Sequence, residues 1–166
     1  LQLFFRAAAH LQQKMPEAHF IMSGGSAETL DEQAAAAFGA LSDPTKIHFM
    51  PFNGATEEVY PACSVFTLCS ESEALPMTIL EAMACGVPCV TTDVGDCARV
   101  MADTGLAVPP SDPVALAEGW EKMVCADSAL RNAISQRARA RVVEQFSIAH
   151  AAEQYQDTYR TLLQTA

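Results

Sequence analysis

The sequence predicts an α/β domain, a parallel sheet wrapped by helices on both faces, and three observations carry that prediction. Short apolar runs alternate with helix-forming segments along the whole chain. The run VFTLC at 65–69 shows no polar alternation, which is how a strand reads when both its faces are buried. Half of the 166 residues are hydrophobic and only 18% are charged. A chain of that length buries roughly 70% of its unfolded surface, enough for one ordinary core, so a single domain over 1–166 is expected.

Taken in order, Leu3, Phe4, Ala7, Ala8 and Leu11 fall at helical spacing until Pro16 stops the run. AHFIMS at 18–23 reads as a strand ending at Gly24-Gly25, and AETLDEQAAAAFGAL at 27–41 as a helix. KIHFM at 46–50 is a second strand, TEEVYPAC a short helix, and 65–69 a third strand. Pro76 suits the first position of a helix over 76–85 that ends at Gly86, and VPCVTT at 87–92 follows as a fourth strand. A short helix over 97–102, a strand in GLAVPP at 105–110, a helix over 112–126 capped by Ser111 or Asp112, and two helices over 127–145 and 148–164 complete the series.

Charge and composition narrow the function. Ten Lys and Arg stand against 20 Asp and Glu, a net charge of −10, and such a surface repels nucleic-acid backbones. No apolar run approaches the ~20 residues of a bilayer-spanning helix, so a cytoplasmic location is expected. Six cysteines in a chain with a sizeable core read as reduced, mostly buried thiols. The histidines 10, 19, 48 and 150 are scattered without ligand spacing, so no metal site is expected.

The chemistry concentrates in residues 70–95. A helix beginning at Pro76 leaves the N–H groups of its first turn, around Met77 and Thr78, facing the preceding loop, which is a ready anion site. Glu73 lies in that loop and Glu81 about one and a half turns into the helix, so two carboxylates flank the anion pocket. Carboxylates beside a bound phosphate serve hydroxyl groups, as on the sugar rings of a nucleotide sugar. On spacing alone, Glu81 also reads as a solvated charge and Glu73 as an incidental loop acid.

The wording Glu73-Ala-Leu-Pro-Met-Thr-Ile-Leu-Glu81-Ala-Met-Ala-Cys-Gly-Val-Pro88 resembles the Glu-x7-Glu signature of retaining GT-B glycosyltransferases of family four. The likeness runs from PEAHFIMSGGS to the helix start at Phe146-Ser147, and implies a Rossmann-like, donor-binding C-terminal half of such an enzyme. By that resemblance Glu81 holds the ribose hydroxyls of a nucleoside-diphosphate sugar. Glu73 stands beside the transferred sugar as the catalytic carboxylate, Leu75 and Pro76 lie near the sugar, and Met77 and Thr78 hold the diphosphate. Gly24 and Gly25 match a glycine-rich donor loop, and Phe52 falls where relatives pack near the base. Against these readings, Gly-Gly after a strand is also a plain tight turn and Phe52 a plain core residue. The implied mechanism needs no metal or other cofactor.

The sequence also departs from the pattern. Ala74-Leu75 replaces Gly-Phe, Cys69 replaces Pro, Pro51 replaces Gly, and Gly95-Asp96-Cys97-Ala98-Arg99 replaces a Gly-Gly turn followed by Pro-Glu. Relatives open this domain with a strand reading Val-Gly-Arg and a Lys-Gly loop whose cations clasp the diphosphate, and neither is present. In the doubly wound strand order 3-2-1-4-5-6 the absent strand belongs between 18–23 and 65–69. A gap with unpaired edges, closed by something, is therefore expected there. The acceptor domain is the other partner implied, with peripheral membrane attachment in the full-length protein. The 148–164 helix is expected to expose Ile148, Tyr155, Tyr159 and Leu162, favouring a homo-oligomer. A non-catalytic nucleotide- or phosphate-binding module and an oligomerising structural remnant remain alternative readings.

Overall fold

A computed structural model describes residues 1–51 and 56–165. Among these residues five strands are interspersed with eight α-helices: α1 (Gln2–Lys14), β1 (Phe20–Ser23), α2 (Glu32–Gly39), β2 (Ile47–Met50), α3 (Thr56–Val59), β3 (Phe66–Leu68), α4 (Met77–Ala84), β4 (Cys89–Thr92), α5 (Cys97–Met101), β5 (Gly105–Val108), α6 (Pro113–Val124), α7 (Ser128–Gln145) and α8 (Ile148–Thr165). Every strand pairing is parallel. The expected element order holds, with two local differences. The stretch read as one helix over 27–41 is a 3-10 turn at Ala27–Thr29 followed by α2, because Asp31 accepts a hydrogen bond from the Ala34 N–H and restarts the helix. Pro76 is the N-cap of α4 rather than its first helical residue.

The sheet separates two apolar cores. Strand β4 is buried along its whole length, and its alternating side chains divide between them. Val90 joins Phe5, Leu11, Phe20, Leu116 and Trp120 under α1, α2 and α6. Cys89 joins Ile79, Met83, Val100 and Met101 under α4, α5 and α7. Helix α6 lies so close to β4 that a Cβ on Gly119 would stand 2.7 Å from Val90 Cγ1. Burial pushes the Cys63, Cys69, Cys89 and Cys97 thiols above their ordinary range, and all six cysteines are free.

The strands form two hydrogen-bonded sets, β1-β2 and β3-β4-β5. Between β1 and β3 lies a cavity of about 1280 Å³, lined by β1, by residues 62–72 and by Leu1, Phe4 and Trp120. This is the position the strand order assigns to an absent first strand, and the gap stands open. Trp120 spans it: its Nε1 donates to Thr67 Oγ1 on β3 at 2.5 Å, and its ring lies 5.7 Å from Phe20 of β1 and 5.4 Å from Phe4 of α1. Because β1 and β3 have a ladder partner on one side only among the described residues, their amides should exchange with solvent deuterium far faster than those of β4, which is paired on both sides. Equal protection of all three strands would contradict an open gap.

The scattered histidines include one pair brought together in space, because the parallel register sets Ile21 opposite His48. His19 therefore stacks on His48, with Nδ1 2.7 Å from Nε2 and Lys46 Nζ 3.2 Å from His19 Nε2. A separation of 29 residues hides that pair from a spacing argument. Helix α8 stands apart, with Ile148, Tyr155, Tyr159 and Leu162 exposed. No described helix is long and apolar enough to cross a membrane.

Candidate active site

The carboxyl ends of β3 and β4 meet at the loop from Cys69 to Pro76. Thr92, buried at the end of β4, donates to the Ser70 carbonyl at 2.7 Å, and Ser70 Oγ donates to Glu73 Oε1 at 2.6 Å. Glu73 is half-buried and oriented by a hydroxyl that β4 itself anchors. The loop after β4 closes on the same segment. The Asp96 N–H donates to the Ala74 carbonyl at 3.0 Å, and Gly95, at φ +53°, lies so near that a Cβ would stand 2.1 Å from the Glu73 carbonyl oxygen. Glycine is required there by space as well as by backbone conformation. Arg99 is committed to Asp96 through bonds of 2.9 and 2.7 Å and holds that carboxyl below its usual range.

Helix α4 turns its apolar residues Ile79, Leu80, Ala82 and Met83 into the core, leaving Met77, Thr78 and Glu81 exposed on the other face. No side chain caps its N-terminus, so the first-turn N–H groups at Met77 and Thr78 are open to an anion. Helical side chains lean toward the N-terminus, so Glu81 leans over that turn from about 6 Å along the axis. Glu81 is fastened separately: Oε2 accepts from Tyr60 Oη at 3.0 Å and from Thr56 Oγ1 at 3.4 Å. Burial, with the Glu81 carboxylate second, pushes the Tyr60 phenol well above its ordinary range.

Six of the sequence-derived site residues, Glu73, Leu75, Pro76, Met77, Thr78 and Glu81, therefore fall in one loop–helix unit. Leu75 and Met77 are exposed and Pro76 is buried. Gly24 and Gly25 lie beyond β1, across the cavity, at φ +89° and +71°. These are tight-turn conformations that favour glycine. Phe52 lies outside the described residues. Sequence reasoning missed Thr56, Tyr60, Thr92 and the close approach of Gly95 to Glu73. None of these carries a local signal; only the bond from Ser70 to Glu73 has one, the Ser-x-x-Glu spacing.

Known proteins resemble this chain in sequence and in fold. A family model described as glycosyl transferases group 1 matches residues 1–125. The alpha-maltose-1-phosphate synthase of Mycolicibacterium smegmatis is 33% identical over 168 residues, covering 93% of this chain and 43% of that protein. The C-terminal domain of a glycosyl transferase group 1 family protein (LpcC) from Francisella tularensis superposes with a TM-score of 0.71 at 26% identity, covering 89% of this chain and 79% of that one. Anabaena Alr3699/HepE, solved in complex with UDP-glucose, superposes with a TM-score of 0.80 at 20% identity over 96% of this chain and 44% of that one, a likeness of fold. The chain spans less than half the length of the curated relatives it matches.

Proposed function

Since the chain belongs to the glycosyl transferases group 1 family and has the α/β fold of a GT-B C-terminal half, we propose that it is the donor-binding part of a retaining glycosyltransferase. Its ligand in this reading is a nucleoside-diphosphate sugar, whose glycosyl group passes to an acceptor hydroxyl. The observation that carries the reading is the uncapped, exposed first turn of α4 with one anchored carboxylate before it and another beyond it. The Met77 and Thr78 N–H groups take the diphosphate and stabilise the charge that collects on it as the glycosidic bond breaks. Glu81 accepts from the ribose hydroxyls. Glu73, with one oxygen held by Ser70, turns its remaining acceptor capacity to the transferred sugar and its developing positive charge. Leu75 and Pro76 border the sugar, and Gly24 and Gly25 border the donor from the β1 side.

Glu81→Gln tests the ribose assignment. Binding of UDP-, GDP- and ADP-sugars, measured by calorimetry, should weaken by roughly 1.5–3 kcal/mol through loss of a charged hydrogen bond. An unchanged affinity contradicts it.

The same proposal includes two parts outside this chain. One is the acceptor domain. The other is a strand preceding Leu1 in the full-length polypeptide that enters the cavity beside β1. Topology supports the second part. Helix α1 packs with α2 and α6 on one face, whereas α4 and α5 serve the other core. A right-handed strand–α1–β1 crossover sets the incoming strand on the side of β1 away from β2, in the open gap. That gap is also where strand order reverses, and ligands of doubly wound sheets sit at such a point. Exposed Ile148, Tyr155 and Tyr159 on α8 support self-association of the isolated chain. Light scattering should give a mass above the monomer at high concentration, and a monomer throughout would contradict this. A second reading, a nucleotide-binding module without catalysis, is favoured by Ala74-Leu75 and by the commitment of Arg99 to Asp96. Ligand binding that survives Glu73→Gln, in a full-length protein without transferase activity, would select it.

A further inference from the structure

We propose that Tyr60 is a positioning residue whose hydroxyl fixes the Glu81 carboxylate for recognition of a ribose diol. The inference rests on the reading of Glu81 as the ribose ligand and adds a residue to it. Glu81 is an exposed glutamate with three side-chain torsions, and holding such a side chain in one rotamer costs roughly 1–2 kcal/mol of conformational entropy. An acceptor for two adjacent hydroxyls needs that cost met before the ligand arrives.

Tyr60 meets it from a rigid base. The residue is 6% exposed, sits in the 3-10 turn Tyr60–Ala62 with Pro61 behind it, and packs edge-on against Phe66 with ring centroids 5.4 Å apart. Its hydroxyl donates to Glu81 Oε2, and Thr56 Oγ1, one helical turn upstream, donates to the same oxygen. The bond from Tyr60, at 3.0 Å, holds that oxygen, with the longer Thr56 contact at 3.4 Å beside it. A carboxylate has about four acceptor sites, so Glu81 keeps acceptor capacity for a ligand beyond these two donors. The phenol stays protonated well past neutral pH because burial and the neighbouring carboxylate both oppose its ionisation, so the donor is constant. A phenylalanine would fill the same space, and only the hydroxyl reaches Glu81.

The test is Tyr60→Phe, which keeps the ring in its packing. Calorimetry would compare UDP with its 2′,3′-dideoxy analogue on the wild-type chain, Tyr60→Phe, Glu81→Gln and the double variant, with thermal melts confirming that each is folded. The expected result is that Tyr60→Phe weakens UDP binding about fivefold to tenfold and leaves dideoxy binding unchanged, and that the double variant is no weaker than Glu81→Gln alone. If Tyr60→Phe keeps the wild-type preference for UDP while Glu81→Gln loses it, the inference fails and the site reading stands. Equal weakening toward both ligands, or additive losses in the double variant, makes Tyr60 a purely structural residue and also overturns it. If Glu81→Gln keeps the preference, or the wild-type chain does not bind UDP, the site reading fails and the inference with it.

Discussion

Gly95→Ala should destabilise the chain by roughly 2–5 kcal/mol, through the left-handed backbone and the forced displacement of a packed neighbour acting together. At φ +53° an alanine already bears the first cost, and its Cβ would stand 2.1 Å from the Glu73 carbonyl oxygen, 2.7 Å from the carbonyl carbon and 3.0 Å from the Ala74 carbonyl oxygen. These are backbone atoms and cannot swing aside as the end of a side chain does. The loop must move, and with it go the bond from the Asp96 N–H to Ala74 and the bond from Ser70 to Glu73. Urea denaturation gives the stability change, and calorimetry the loss of nucleotide affinity that the proposed donor site entails. Gly24→Ala is the control, since a Cβ there meets nothing within 4 Å and only the conformational cost at φ +89° applies. A Gly95→Ala variant no less stable than Gly24→Ala would show that the loops do not press together as described.

Trp120→Ala has the second large expectation, a loss of about 3–5 kcal/mol. The side chain is 4% exposed and joins parts that no strand ladder joins: α6 carries it, Thr67 of β3 takes its N–H, and Phe4 and Phe20 pack against its ring. Removing it widens a cavity that already separates the two strand sets, so the neighbours have little means of collapsing onto the void. Trp120→Phe separates packing from hydrogen bonding. It keeps most of the ring and forgoes the bond to Thr67, for a cost of about 0.5–1.5 kcal/mol from that bond. Circular dichroism must follow unfolding, because the chain has one tryptophan. A loss below about 1 kcal/mol for Trp120→Ala would mean that the two strand sets are held together elsewhere.

The alternation of apolar runs with helix formers was enough to give the order of elements, because each strand or helix answers to local periodicity and to capping residues a few positions away. Asp112 shows this directly: it precedes Pro113 in sequence and accepts from the Val114 and Ala115 N–H groups in the structure. The 3-10 turn at Ala27–Thr29 escaped because helix formers dominate that stretch, and the cap at Asp31 competes with them inside it. In the site, the eight-residue separation of Glu73 and Glu81 was legible because one loop and one helix hold both. Their supports were not. Tyr60 and Thr92 reach these glutamates or their neighbours across 21 and 22 residues, and His19 meets His48 only through strand register.

By itself the sequence determined the α/β class, the parallel strands and the loop–helix unit that offers N–H groups and two acids, since these depend on residues close along the chain. Tertiary structure alone decided how those acids are held, why Gly95 admits no side chain, and that the sheet parts around a cavity bridged by Trp120. The physical reason is range. Periodicity and capping act within a turn or two, whereas a hydroxyl orienting a carboxylate, a backbone pressed against another, and an unpaired strand edge exist only once distant segments share the same space.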